Sequence, residues 1–186
     1  MLTKTKQTWL VVGIVLLALV LDQWSKIYIK THFELGEARE VFSWFWIVFV
    51  ENNGMAFGIE WFSKLLLTLF RIVAVGVIGW YIHTLIHKQT VRTGYLATVA
   101  MVIAGALGNI IDCVCYGKIW GYADWFHGKV VDMLYFPLIR NAAGEVLFFR
   151  PVFNIADSFI TVAVLLIIIF YRKDLDASLA GVGKRK

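Results

Sequence analysis

The sequence has few charged residues and few residues that interrupt long helices. Only 17% of its 186 residues are charged, whereas 60% are hydrophobic and 16% aromatic, and it contains two prolines. The mean hydropathy is +0.73. A soluble domain of this length would need much more polar surface to cover its core. The composition therefore excludes a soluble globular protein and predicts a single integral-membrane domain over residues 1–186.

The sequence also lacks the signatures of common hydrolytic and nucleotide-binding sites. It has no His-Glu-x-x-His zinc motif, no Gly-x-Ser-x-Gly nucleophile elbow and no glycine-rich phosphate loop. Cys113 and Cys115 are too few for a zinc site and too close for an unstrained disulfide, so we interpret them as packing residues, with redox sensitivity as the alternative. We expect no metal and no cofactor.

Four stretches are long and apolar enough to cross a bilayer, which needs roughly 20 residues. They cover residues 9–29, 65–86, 95–111 and 153–171, and we expect the third to extend at one end. The first stretch ends without a small-residue cleavage site, which favours a retained anchor over a signal peptide. The sequence predicts an α-helical membrane protein with four transmembrane helices.

Basic residues predict the orientation of these helices. The net charge of +5 could suggest nucleic acid in a soluble protein. Here Lys and Arg are concentrated at the N-terminus, in the 87–94 loop and in the C-terminal tail, whereas the two long loops carry similar numbers of acids and bases. The positive-inside rule then places both termini in the cytoplasm. We expect no nucleic-acid partner.

The two outer loops, about residues 30–64 and 112–152, contain strand-like segments. Residues 41–50 are rich in strand-forming residues, and residues 133–139 and 145–152 flank a segment typical of a hairpin turn. We predict a small outer β-sheet resting on the membrane, where its aromatic side chains suit the headgroup layer.

Ionisable side chains inside the predicted spans lie at a shared depth. At about 1.5 Å per residue, they lie roughly 20–26 Å above the inner face. These residues are Asp22, Arg71, Asp112 and Asp157, with Lys26 one turn beyond Asp22. Charged groups in a membrane are costly and usually functional. The shared depth predicts a hydrated site near the outer surface.

The spacing of polar residues supports that site. Asp22 and Lys26 are four apart and can pair as ions, while Asn109 and Asp112 share a helical face. Asn154 and Asp157 repeat the three-residue spacing. Two aspartates that share one proton can provide both the base and the acid that peptide hydrolysis needs.

Five short motifs occur in order along almost the whole chain. They are Asp22-Gln-Trp-Ser-Lys26, Asn52-Asn-Gly-Met-Ala-Phe57, Gly108-Asn-Ile-Ile-Asp112, Val130-Val-Asp132 and Phe153-Asn-Ile-Ala-Asp157. Together they resemble the motifs of the lipoprotein signal peptidase (signal peptidase II) family. The resemblance implies an aspartic intramembrane peptidase of the bacterial inner membrane, with its outer sheet, or β-cradle, and its active site facing the periplasm.

The resemblance also implies the site residues. Asp132 and Asp157 would be the catalytic pair, although topology alone favours Asp112 over Asp132. The residues that would shape the pocket and bind substrate are Asp22, Lys26, Asn52, Gly54, Asn109, Asp112 and Asn154. The implied substrate is a prolipoprotein, cut on the amino side of a diacylglyceryl-modified lipobox cysteine. Membrane lipids and the inhibitor globomycin are further implied partners.

The sequence departs from the family pattern in several places. Cys113 occupies a position where the family usually has Arg, and Arg71, Lys118 or Lys129 are candidates to replace that charge. Asp112 and Asp132 are also farther apart in sequence than is usual for the family.

Two other functions also fit intramembrane acids. One is a proton-coupled transporter, although transporters usually hold their site near the midplane of repeated or broken helices. The other is a non-catalytic membrane scaffold that packs through small residues such as Ala100, Ala104 and Gly108. Proton flux without peptidase activity would favour the first, and tolerance of Asp157→Ala would favour the second.

Overall fold

Most of the chain is helical. A computed structural model describes residues 2–53, 64–88, 91–141, 146–148 and 151–183. Its helices are α1 (Lys4–His32), α2 (Lys64–Lys88), α3 (Thr93–Ile111), α4 (Gly117–Ile119), α5 (Ile155–Phe170) and α6 (Arg172–Gly183). A π-helical turn, Asp112–Tyr116, joins α3 to α4.

Within these described ranges, three helical stretches are long and apolar enough to cross a membrane. They are α1, α2 and the continuous stretch from α3 through α4, which extends the third predicted span as expected. The last two helices, α5 and α6, count as a fourth span only as a pair, because the chain bends by 86° between them. Helices satisfy their backbone hydrogen bonds internally, which is what the bilayer demands of such apolar segments.

The helix in the region of the fourth predicted span is slightly shorter than that span. Phe153 belongs to a strand, and the helix begins only at Ile155. Its apolar run ends at Phe170, and the sequence pattern did not predict α6 at all. The charged residues at the start of α6 lower its hydropathy, so the apolar pattern did not predict this helix, and an 86° bend separates it from α5.

A four-stranded antiparallel sheet has the order β1-β2-β3-β6. Its strands are β1 (Ala38–Phe42), β2 (Phe45–Asn52), β3 (Val130–Tyr135) and β6 (Val152–Phe153). A separate two-stranded sheet pairs β4 (Ile139–Arg140) with β5 (Val146–Phe148). This pairing agrees with the predicted hairpin.

Residues 41–50 form a hairpin instead of the single strand-rich run suggested by their sequence. A two-residue turn at Ser43 and Trp44 separates β1 from β2. The ring of Trp44 in this turn stacks on that of Phe42, the last residue of β1, with centroids 5.4 Å apart. Strand-forming composition alone does not mark such a turn, because the aromatic residues that flank it also favour strands.

One of two compact units consists of residues 2–20, 69–108 and 156–183. Its core includes Ile82, Leu85, Tyr95, Leu96 and Val99. At Gly105 a side chain would collide with the backbone carbonyl of Ala156. The absence of a Cβ therefore lets α3 and α5 approach closely, as small residues allow in membrane helices.

The other compact unit consists of the described residues of 21–68 and 109–155. Its apolar core brings Ile29 of α1 together with Phe49 of β2, Tyr116 of the π-helical turn, and Val131 and Met133 of β3. Side chains alternate between the two faces of a strand. The face of β3 that carries Val131 and Met133 is therefore packed, and Asp132 points to the opposite face.

Candidate active site

Lys26 lies at the centre of a buried ionic cluster. Its Nζ is 2.9 Å from Asp22 Oδ2 and 2.8 Å from Asp112 Oδ2, and none of the three side chains is more than 2% exposed. Nζ also donates a hydrogen bond of 3.0 Å to Asn109 Oδ1. Buried charges must be paired and hydrogen-bonded to be tolerated. One ammonium group contacts both carboxylates and balances one of their two charges, and hydrogen bonds from neighbouring donors satisfy further carboxylate oxygens.

Gln23 provides a second link between the same two carboxylates. Its Nε2 donates to Asp22 Oδ2 at 3.0 Å and to Asp112 Oδ1 at 2.9 Å. Tyr116 in turn donates from its hydroxyl to Gln23 Oε1 at 3.1 Å. These contacts fix the orientation of both carboxyl groups.

The π-helical turn positions Asp112. The backbone N–H of Val131 donates to Asp112 Oδ2 at 3.3 Å, so the carboxylate also binds the start of β3. Gly128 donates from its backbone N–H to the carbonyl of Cys113 at 2.9 Å, and a Cβ at Gly128 would collide with the carbonyl of Asp112. The returning segment before β3 therefore packs directly on this turn.

Asp132 is buried and held by two side-chain amides. Asn154 donates from Nδ2 to Asp132 Oδ1 at 2.7 Å, and Asn52 donates from Nδ2 to Asp132 Oδ2 at 3.1 Å. The Nδ2 of Asn154 also reaches Asn109 Oδ1 at 3.1 Å. Since Asn109 Oδ1 also accepts from Lys26, one continuous network joins Asp132 to the ionic cluster.

Asp157 lies in the first turn of α5, three residues after Asn154. Its side chain is half-buried. The N-terminal end of a helix carries a partial positive charge that favours a nearby carboxylate.

Comparison with known proteins assigns this chain to a family. A family model described as signal peptidase (SPase) II matches residues 14–172. The chain belongs to the signal peptidase II family. It is therefore a peptidase and a multi-pass membrane protein, in a family that removes signal peptides from prolipoproteins.

Relatives of the signal peptidase II family match almost the whole chain. The lipoprotein signal peptidase of Porphyromonas gingivalis is 41% identical over 204 residues, which cover 97% of this chain and 90% of the relative. That of Amoebophilus asiaticus is 35% identical over 191 residues, covering 92% and 81%. A solved structure described as a bacterial membrane enzyme has a TM-score of 0.67 at 28% identity, covering 95% of this chain and 92% of that one.

The structure brings most of the predicted site residues into one network. The residues that it connects are Asp22, Lys26, Asn52, Asn109, Asp112, Asp132 and Asn154. Gly54 lies outside the described residues. Sequence reasoning missed Gln23, although it lies inside a motif that resembles the signal peptidase II family, and it missed Tyr116, which has no comparable signal.

Cys113, where the sequence resemblance implied an Arg, has its side chain buried in the π-helical turn. Lys118 lies 3.7 Å from Asp124, and Lys129 lies 3.1 Å from Glu51. Both lysines therefore pair with acids of the outer loops. The cation beside Asp112 is Lys26, which comes from α1.

Proposed function

We propose that this chain is an aspartic endopeptidase that hydrolyses the bond on the amino side of the diacylglyceryl-modified lipobox cysteine of prolipoproteins. One observation carries the proposal. Asp132 is a buried carboxyl group that receives a side-chain amide on each oxygen, and one of those amides belongs to Asn154. The second aspartate, Asp157, follows three residues later in the first turn of α5.

In the proposed reaction, Asp132 and Asp157 share one proton. Two nearby carboxyl groups cannot both ionise readily, so one stays protonated while the other is a carboxylate. The carboxylate takes a proton from water as the water oxygen attacks the scissile carbonyl carbon. The protonated group donates its proton to the carbonyl oxygen, which gives a tetrahedral diol. As the C–N bond breaks, the other aspartate passes the proton it took from water to the leaving amine, and the first aspartate regains a proton from a diol hydroxyl.

The remaining polar residues would hold this site and the substrate backbone. Asn52 and Asn154 fix both oxygens of Asp132, and their hydrogen bonds limit its rotation. The cluster of Asp22, Lys26 and Asp112 anchors Asn109, which accepts from Asn154. Preorganised polar groups of this kind cost no reorganisation at the moment of reaction. Gly54, on the same motif as Asn52, completes the proposed set.

We place this single peptidase domain in the bacterial inner membrane with four spans and both termini in the cytoplasm. The fourth span would be α5, with α6 bent away at its cytoplasmic end. The site would face the periplasm, so that the two acyl chains of the substrate stay in the outer leaflet while the scissile bond meets the aspartates. Exposed aromatic side chains such as Phe42 and Trp44 suit the headgroup layer.

The direct test uses the purified full chain and a lipidated prolipoprotein. Asp132→Asn and Asp157→Asn should each abolish cleavage while the protein is inserted normally. Asp124→Asn is the matched control, because Asp124 is 87% exposed and lies 3.7 Å from Lys118. Cleavage at the wild-type rate by either of the first two variants would refute the aspartic pair. Inhibition of the wild type by globomycin would support binding of a peptide ligand at the same site.

A further inference from the structure

A second ionic cluster lies beside the site and has no part in the proposed reaction. Lys30, in the last turn of α1, places Nζ 2.6 Å from Glu51 Oε1, with the two side chains only 8% and 12% exposed. The rings of Phe49, Trp120 and Tyr122 surround the same ammonium group. Their centroids lie 5.4, 5.2 and 5.2 Å from Nζ. Aromatic faces attract cations at such distances.

Lys129 binds the other oxygen of Glu51. Its Nζ lies 3.1 Å from Glu51 Oε2, and its backbone N–H donates to the hydroxyl of Tyr122 at 2.8 Å. Burial raises the pKa of Glu51, but the hydrogen bonds from Lys30 and Lys129 outweigh it and bring that pKa below its ordinary value. Glu51 is therefore an ionised group held from two sides.

Stability alone does not explain this cluster. A buried ion pair loses about as much in desolvation as it gains in attraction, and a well-packed apolar pair would often be as stable. An apolar pair, however, would not require one particular alignment of the strand. An ion pair with fixed partners does, because a shift would leave a charge buried and unpaired. The cluster is thus suited to fixing a register.

Strand geometry connects the cluster to the site. Neighbouring residues of a strand point to opposite faces. On β2, Glu51 binds Lys30 and Lys129, while Asn52 binds Asp132. Glu51 is paired with Val131 of β3, but the register shifts between Ile47 and Val50. A slip of one residue would turn Asn52 away from Asp132.

We infer that Lys30, Glu51 and Lys129 form a positioning clamp that fixes the register of β2 after its irregularity and thereby holds Asn52 against Asp132. The inference rests on the proposed function, since it assigns the clamp a role in orienting the catalytic Asp132. Trp120 and Tyr122 tie the clamp to the segment between α4 and β3. The three clamp residues act through Asn52 and do not touch the reacting atoms.

The test measures kcat and KM of the purified full chain on a lipidated prolipoprotein. Glu51→Gln should lower kcat by roughly tenfold with KM unchanged, because small displacements of a catalytic group are costly. Lys30→Met should do the same, and Lys30→Arg should retain most of the activity because it keeps the charge and the aromatic contacts. Combined with Asn52→Ala, Glu51→Gln should add no further loss, since coupled residues are not additive.

Glu37→Gln is the matched control. Glu37 pairs with Arg39 at 2.6 Å near the same sheet, but both side chains are more exposed than those of Lys30 and Glu51. Glu37 also accepts from the backbone N–H of Glu34, so its contacts lie at the turn after α1 and away from Asp132. Its kcat should equal that of the wild type. If Glu51→Gln folds poorly, Lys129→Met tests the clamp in its place. Lys129 is more exposed than Lys30, so the fall in kcat should be smaller than that expected for Lys30→Met.

Three results would overturn the clamp. The first is a Glu51→Gln variant, or Lys129→Met if Glu51→Gln folds poorly, that is as active as Glu37→Gln. The second is a change in KM with kcat unchanged. The third is a double variant of Glu51→Gln and Asn52→Ala whose fall in kcat equals the product of the two single falls. Any of these together with an inactive Asp132→Asn would refute the clamp and leave the proposed function standing. An active Asp132→Asn would instead refute the proposed function.

Discussion

The Nζ of Lys26 lies 2.8 Å from Asp112 Oδ2, and both side chains are fully buried. The two residues come from different helices and are far apart in sequence. Asp22 lies 2.9 Å from the same ammonium group. The whole polar network of the site is therefore organised around one lysine.

Replacing this lysine should destabilise the fold. Lys26→Met keeps much of the side-chain volume but leaves two buried carboxylates without their cation, at a cost of about 3–5 kcal/mol. Thermal unfolding of the detergent-solubilised protein should show a clear fall in Tm. Lys118→Met is the control, because Lys118 is exposed and lies 3.7 Å from Asp124, where pairs contribute little. Equal Tm values for the two variants would contradict the central role of Lys26.

The close approach of α3 and α5 gives a second prediction. Gly105→Ala places a Cβ against the carbonyl of Ala156 and the side chain of Ile160, and overpacking of this kind costs about 1–3 kcal/mol. The matched variant is Gly76→Ala on α2, where a Cβ would meet nothing within 4 Å. That change should be neutral or stabilise by up to about 1 kcal/mol. If Gly105→Ala and Gly76→Ala shifted Tm in the same direction, the close packing of α3 against α5 at Gly105 would be contradicted.

The contact between Arg92 and Asp174 predicts a pH dependence. Arg92 donates from Nε and Nη2 to Asp174 Oδ2 at 2.9 and 2.7 Å, and from its backbone N–H to Oδ1 at 3.0 Å. Burial raises the pKa of Asp174, but these hydrogen bonds prevail and the pKa lies below its ordinary value. A carboxyl group with a lowered pKa stabilises the fold above its unfolded pKa of about 4 and loses that contribution as the pH falls further.

The corresponding measurement compares Tm of the wild type and Asp174→Asn over a range of pH. The wild type should be more stable at neutral pH, and the difference should shrink below about pH 4. Arg92→Gln should lose the guanidinium part of this contribution already at neutral pH, whereas the backbone N–H of residue 92 can still donate to Oδ1. A difference that stays constant down to acid pH would show that the ion pair does not contribute.

The sequence predicted the local features of this site well. The four-residue spacing of Asp22 and Lys26 predicted their ion pair, and the shared face of Asn109 and Asp112 is visible in their common contact with Lys26. Both predictions depend only on helical periodicity, which a sequence displays directly. The choice of Asp132 over Asp112 came from resemblance to the family, because Asp132 lies on β3 and outside the helices whose periodicity the sequence displays.

Other features had no sequence signal. The clamp at Lys30 needs side chains from α1, β2 and the segment between α4 and β3, which no local pattern relates. The turn at Ser43 and Trp44 was hidden by its aromatic neighbours, and α6 was hidden by its low hydropathy. The clamp joins residues distant in sequence, the turn lies within a run of strand-forming residues, and α6 lies outside the apolar runs.

The sequence by itself determined that this chain enters a membrane, because its apolar runs and its scarcity of charge are properties of composition. It also determined the helical spacing that pairs Asp22 with Lys26. Only the tertiary structure decided that Lys26 also binds Asp112 and that the amides of Asn52 and Asn154 hold Asp132. Those contacts depend on strand register and on the returning path of the outer loops, which are set by packing over long sequence separations and not by local preference.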